Sequence, residues 1–453
     1  MKFVFNYVRI KPFRALLVIK VKAMRLHLLV YMLMGVTLSC FSQNASLYFP
    51  PISGEEWETI DPEESGWNTA AIPDLYNFLE QANTKGFIVL KDGKIALEQY
   101  FGTFTQDSVW FWASAGKSLT AVLIGIAQEE GQLALSDKTS DYLGKGWTNL
   151  EEEKEDLITI WNQLTMTSGM DERIFTCKTP GCLRYVADAG TRWSYHNGPY
   201  SLLRDVLENA TELDFNAYTN QSIKSKIGMK GLWIASGDNN LFVSRPRDMA
   251  RFGLMILNEG YWAEEAILSD SVYFNQMVNS SQAINPSYGY LWWLNGKESF
   301  IPPSPTISME GNIAPFAPED MIVAAGAQGQ LACIVPSQNL LVIRMGEESS
   351  EDFVPLGFQN EMWLELNKVL NLSTSTSEFE PLEASVFPNP ASNILNVIVP
   401  ESDDFEVRIY DLMGRLKKRE NESQIYINDL NSGMYVVEVS IGSKVFFDRI
   451  MKK

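Results

Sequence analysis

The chain has 453 residues, 45% of them hydrophobic and 21% charged, a composition that supports two or three packed domains and excludes a mainly disordered protein. Its formal net charge is −19, and residues 1–42 carry seven of the 37 basic side chains and no acid, which leaves 30 basic against 56 acidic residues in the remainder. Such a surface repels phosphate backbones and anionic bilayers, so neither nucleic acid nor a membrane surface is expected as a partner.

In chain order, Lys20, Lys22 and Arg25 precede the apolar run 28–38, which is too short to span a bilayer and closes in Ser39, Cys40, Phe41 and Ser42. Residues 1–42 therefore read as a secretory signal segment starting at Met1 or Met24. Thr37-Leu38-Ser39 is a poor lipobox, so Cys40 is not expected to carry lipid, and no transmembrane segment is expected in the mature protein. Over 43–371, Ile72-Pro73 leads into a short helix at 75–79. The β-prone runs 86–90 and 95–100 flank Asp92-Gly93, a hairpin signal. Ser114-Ala115-Gly116-Lys117 then opens the apolar run 119–127, a buried helix that Gly131 ends. Helices are expected at 200–207 and 246–258, the second capped by Ser244 and stopped by Gly260, and strands at 288–294, 321–325, 331–335 and 340–344. Strands at both ends with helices between them predict an α+β domain whose sheet joins the two ends. A polar linker, 372–383, separates this domain from 384–453, where short strands and turns predict a small Ig-like β-sandwich.

Residues three apart on a helix share a face, which brings Lys117 beside the Ser114 hydroxyl, and a helix N-terminus supplies N–H groups to a developing oxyanion. Four characters alone would equally describe a serine cap followed by a solvated lysine. About 80 residues on, Tyr195-His196-Asn197 supplies a tyrosine and an asparagine two positions apart. Alternation in an extended segment turns His196 away from the face that carries Tyr195 and Asn197, against a Ser-His-Asp triad. Cys177 and Cys182 flank Pro180-Gly181, so in an exported chain they read as a local disulfide, and Cys333, within an apolar run, reads as an inert buried strand residue. His196 is the one histidine beyond the signal segment, so no metal and no cofactor is expected.

The S-x-x-K pair with Y-x-N at this distance resembles the serine beta-lactamase and penicillin-binding-protein superfamily over about residues 60–350. The likeness is to the class C branch that includes esterases and 6-aminohexanoate-dimer hydrolase. Asp248-Met249-Ala250-Arg251-Phe252-Gly253, Tyr288-Gly289-Tyr290-Leu291-Trp292-Trp293 and Gly326-Ala327-Gln328-Gly329-Gln330 resemble further segments of that branch. The resemblance implies a beta-lactamase/transpeptidase-like fold with Ser114 as nucleophile and Lys117 as its activator. It implies Tyr195 as general base and later acid, acidified by the lysine ammonium, and Asn197 as a group orienting Lys117 or the substrate carbonyl. Gly326 and Ala327 would lie on the substrate-binding strand, the Ala327 N–H joining that of Ser114 as oxyanion hole. The family's strand lysine falls at Ala324, so the expected substrate is a small or linear ester or amide, with weak or no lactamase activity. Arg192 is the first cation to consider in its place. Trp110, Trp112, Trp292 and Trp293 are either acyl-pocket walls or core. The readings are thus a secreted serine hydrolase, a D,D-peptidase, or a non-catalytic binder of cell-wall peptides or partner proteins.

In the tail, Val386-Phe387-Pro388-Asn389-Pro390, Ile409-Tyr410-Asp411-Leu412-Met413-Gly414, Leu430-Asn431-Ser432-Gly433-Met434-Tyr435 and the final Met451-Lys452-Lys453 resemble the type A C-terminal sorting domain of the type IX secretion system of Bacteroidetes. That resemblance implies the type IX machinery as partner and export through the periplasm, with the product released or held at the cell surface. A carbohydrate-binding Ig-like module is the alternative.

Overall fold

The computed structural model describes residues 47–174, 176–304, 306–347, 356–372, 382–400, 404–411, 416–441 and 444–453; the expected signal segment and linker residues 373–381 lie outside them. Helix α1 (Ile72–Gln81) buries Leu75 and Leu79 and leads into β1 (Thr84–Lys91) and β2 (Lys94–Tyr100). The hairpin turns at Asp92 and Gly93, both at positive φ, as the Asp-Gly dipeptide predicts. Strand β3 (Trp110–Phe111) runs through a 3₁₀ turn, Ala113–Ala115, into α2 (Gly116–Glu129). Every α2 residue from Gly116 to Ala127 is buried, and its large apolar side chains contribute about 1.5–3 kcal/mol each, which makes it the axial helix of the core.

Further along come α3 (Asn197–Ser201), α4 (Leu203–Thr211), the hairpin β4 (Leu232–Ser236) and β5 (Asn239–Ser244), α5 (Pro246–Leu257) and the short β6 (Trp293–Leu294). The strands β7 (Ile322–Gly326), β8 (Gln330–Val335) and β9 (Leu340–Gly346) and the helix α6 (Leu356–Leu370) complete the region. The sheet order is β2-β1-β9-β8-β7-β6, with antiparallel pairing throughout, so the first and last strands meet at its centre as expected. A smaller sheet, β3-β5-β4, lies at the start of α2.

Two local expectations change. Ser244 does not cap α5: its hydroxyl accepts from Trp112 Nε1 at 2.8 Å, while Arg245 takes the cap position and its backbone N–H is met by the Asp248 carboxylate. The strand expected at 288–294 contracts to β6, because Leu291 sits at φ 60° and breaks the extended run, leaving Tyr288 to a single bridge with Trp293.

Beyond the linker, β10 (Ser385–Phe387), β11 (Ile394–Ile398), β12 (Glu406–Asp411), β13 (Leu416–Glu420), β14 (Gln424–Tyr426), β15 (Gly433–Ile441) and β16 (Lys444–Lys452) form sheets ordered β10-β11-β14 and β13-β12-β15-β16. Alternate residues such as Leu395, Val397, Val407, Ile409, Ile425 and Val437 fill a second hydrophobic core, the inner layer of a small sandwich. Among the described residues no helix is long and apolar enough to cross a membrane.

Candidate active site

Ser114 sits in the 3₁₀ turn, half-buried, two residues before Gly116, where α2 begins to wind. The turn is fixed from behind. The Trp112 backbone N–H donates to Phe242 O at 2.8 Å, and its indole packs edge-on against Phe242 and tilted against Phe252. Between them Ala113 adopts φ 48°, a left-handed conformation that a residue with a Cβ takes up only under surrounding constraint. Lys117 follows in the first turn of α2, buried, with Nζ 3.1 Å from Ser114 Oγ. Ser118, next along, is occupied elsewhere, donating to Leu291 O at 2.8 Å.

The Lys117 amine lies 4.1 Å over the Tyr200 ring and 5.2 Å over the Tyr195 ring. Burial lowers its pKa to about 7. Tyr195 is hydrogen-bonded to Ser114 and held by Trp293, stacked at 6.0 Å, and by Tyr288, edge-on at 6.5 Å. Burial drives the Tyr195 phenol well above its ordinary value, outweighing the hydrogen bond to Ser114, and pushes Tyr200 up to about 12. The expected acidification of Tyr195 by a lysine ammonium is not seen: burial disfavours the charged form of both groups, lowering the Lys117 pKa and raising that of Tyr195. Tyr200 was legible only as part of an amphipathic helix.

Opposite the nucleophile, β7 ends at Gly326, whose backbone presses on the 112–115 turn. A Cβ there would lie 2.4 Å from Trp112 O and 2.9 Å from the amide nitrogens of both Ser114 and Ala115. Only glycine permits this approach, and Ala327 follows Gly326 directly in the chain. Asn197, the first residue of α3, is buried with Oδ1 unpartnered; no hydrogen bond joins it to Lys117, contrary to one of its two expected uses.

Residues 77–353, more than half of the chain, match the beta-lactamase family profile. The chain belongs to the beta-lactamase family. Solved structures agree on the fold. A Bacillus anthracis protein assigned as a 6-aminohexanoate-dimer hydrolase superposes with TM-score 0.54 at 18% identity, covering 66% of this chain and 83% of its own. A Bacteroides dorei protein assigned as a beta-lactamase gives 0.53 at 17% identity, covering 68% and 100%. The octameric penicillin-binding protein homologue of Pyrococcus abyssi gives 0.51 at 15%, covering 84% and 99%. Residues 385–453 match the secretion system C-terminal sorting domain, which points to type IX secretion and a secreted or cell-surface product.

Ala324, where the resemblance sets the family's strand lysine, is buried on β7 two residues before Gly326 and so on the same side of the strand. Arg192 is paired through Nη2 with Glu172, leaving Nη1 buried without a hydrogen-bond partner; burial raises the Glu172 pKa, but the Arg192 bond, a backbone hydrogen bond and nearby positive charge together lower it. His196 is buried, its pKa lowered to about 4 by burial, and its charged neighbours are Glu172, Asp171 and Arg192. Trp112 and Trp292 are fully buried core, Trp292 stacking on Phe252, whereas Trp293 backs Tyr195. Trp110 lies half-buried at the edge of β3 between Lys85 and Phe111, not over the serine turn. Cys177 and Cys182 are joined as a disulfide, and Cys333 is a buried thiol whose pKa burial raises to about 12.

Proposed function

We propose that the protein is a secreted serine hydrolase that cleaves neutral esters or amides through an acyl-enzyme on Ser114. The observation that carries this reading is the buried Lys117 amine, 3.1 Å from Ser114 Oγ with its pKa lowered by burial to about 7. In its neutral form that amine takes the hydroxyl proton as Oγ attacks the substrate carbonyl. Tyr195 keeps its proton and, hydrogen-bonded to Ser114, is the donor to the departing alkoxide or amine once the tetrahedral adduct collapses. The Ser114 and Ala327 N–H groups receive the oxyanion. The Lys117 ammonium then passes its proton to the Tyr195 phenolate, water attacks the acyl-enzyme with the restored amine again as base, and the proton so taken returns to the departing Ser114 Oγ, regenerating the free enzyme.

The unpartnered Oδ1 of Asn197 is an acceptor for a substrate N–H, which keeps amides within the substrate range. The likeness to the assigned 6-aminohexanoate-dimer hydrolase adds linear amides to the compounds to assay. With alanine at 324 and Arg192 Nη2 engaged by Glu172, a substrate carboxylate meets no lysine on β7, which disfavours β-lactams. Labelling with a fluorophosphonate tests the reading: wild-type protein should label at Ser114 and lose esterase activity, whereas Ser114→Ala should neither label nor turn over ester. Wild-type turnover in Ser114→Ala would sink it. The same labelling and turnover separate this reading from a non-catalytic binder.

A further inference from the structure

We infer that Arg344 and Gln330 are positioning residues for the oxyanion hole, holding the three-residue turn that aims the Ala327 N–H at the serine. This rests on the acyl-enzyme reading above. The turn joins β7 to β8 between the paired residues Gly326 and Gln330. Its two residues after Ala327, Gln328 (φ 61°) and Gly329 (φ 74°), are both left-handed, a conformation that Gln328 does not choose for itself. The left-handed Gln328 breaks the 3₁₀ winding of this turn, which leaves its carbonyls open to side-chain donors.

Two side chains supply them. Gln330 Nε2 donates to Ala327 O at 3.2 Å, Gln328 O at 3.3 Å and Gly346 O at 2.6 Å, while its Oε1 accepts from the Gly346 N–H at 3.1 Å. The amide thus locks the turn to the end of β9. Arg344, fully buried on β9, reaches the same turn from beneath, with Nη1 2.5 Å from Gln328 O and 3.1 Å from Gly329 O. The rest of its fork is anchored away from the turn, Nε on Thr84 Oγ1 at 3.0 Å and Nη2 on Ala82 O at 2.6 Å, with Phe358 under the guanidinium at 4.6 Å.

The surrounding chain leaves room for this fork. A Cβ on Gly329 would lie 2.7 Å from Arg344 Nη1, and one on Gly346 2.5 Å from its Cζ. A planar fork fixed at β1, at Ala82 and at the turn sets the height of the 327–329 backbone relative to the sheet, and a flexible ammonium cannot make the same set of bonds. The turn carries the Ala327 donor, and a donor acts on the oxyanion only when held within a fraction of an ångström of its place. Arg344 touches no reacting atom in this scheme; it acts through the turn.

The test compares Arg344→Lys, Gln330→Leu and Arg344→Ala with wild type and with Thr84→Val, which removes an Arg344 partner on the side away from the turn. The readouts are kcat and KM on p-nitrophenyl butyrate, affinity for phenylboronic acid, which forms a tetrahedral adduct on a reactive serine, and the thermal midpoint. Misalignment should lower kcat about 10- to 100-fold with KM nearly unchanged. Boronate affinity should fall in parallel, Thr84→Val should lose much less, and added guanidinium should restore part of the rate to Arg344→Ala. Folded Gln330→Leu and Arg344→Lys proteins with wild-type kcat and boronate affinity would overturn the inference while leaving the acyl-enzyme reading intact. So would a loss explained by the unfolded fraction alone. Wild-type turnover by Ser114→Ala would overturn both.

Discussion

Replacing Gly326 by alanine should damage catalysis out of proportion to the single methyl added. The new Cβ would stand 2.4 Å from Trp112 O, and opening that contact to 3.0 Å, below which real Cβ atoms are essentially never found, requires a displacement of at least 0.6 Å. Neither wall yields easily, because Trp112 is tied to Phe242 O and Ser244 while β7 is paired with β8 along its whole length. The two walls carry the Ser114 and Ala327 N–H groups, so the displacement falls on the proposed oxyanion hole. Loss of one such donor costs about 10²- to 10³-fold and a misplacement of about 1 Å about 10²-fold, so a decrease in kcat of about 10- to 100-fold is expected, or about 1.4–2.7 kcal/mol. Overpacking should also lower stability by about 1–3 kcal/mol. The assay is p-nitrophenyl butyrate hydrolysis per fluorophosphonate-titratable site, with circular dichroism to confirm folding. Gly181→Ala is the control, since nothing lies within 4 Å of its added methyl. A folded Gly326→Ala enzyme with kcat within about twofold of wild type would refute the placement of Gly326 between the two donors.

Lys117 should set the pH dependence: burial lowers its pKa to about 7, and if its neutral form is the base as proposed, kcat/KM should rise with pH up to about 7 and level off above it. An inflection only near the ordinary lysine value would assign the base elsewhere. Neutral short-chain esters should exceed a chromogenic cephalosporin in kcat/KM by about 10-fold or more, the contribution of a charge-assisted hydrogen bond that Ala324 cannot make; a preference for the cephalosporin would mean that another cation meets its carboxylate. Replacing Cys177 and Cys182 by serine should cost only about 2 kcal/mol, because the closed loop is short. Chemical denaturation would measure it, and a fully unfolded variant would contradict it.

What the sequence discloses and what it conceals divide along physical lines. The β1–β2 hairpin was legible because Asp92-Gly93 encodes its turn locally, and the Ser114, Lys117 and Tyr195 group because the spacing of its residue types is distinctive. The strands β7 to β9 announced themselves as apolar runs. The β4–β5 hairpin went unread: its exposed Leu232 and Ile234 blur the alternation that marks a half-buried strand. The opposite pKa shifts of Lys117 and Tyr195 are invisible in the sequence for a different reason, since they come from burial among Tyr200, Tyr288 and Trp293, which the fold gathers from distant segments. Arg344 read as the end of an apolar strand; only the antiparallel register beside β8 brings it beneath the 327–329 turn.

The most direct test of the account is to trap the intermediate itself. Protein mixed with excess p-nitrophenyl butyrate, quenched in acid during turnover and digested, should carry a butyryl group on Ser114, located by tandem mass spectrometry, and Ser114→Ala should carry none. Acylation of Ser118, Ser168 or any other residue, with turnover maintained in Ser114→Ala, would contradict it.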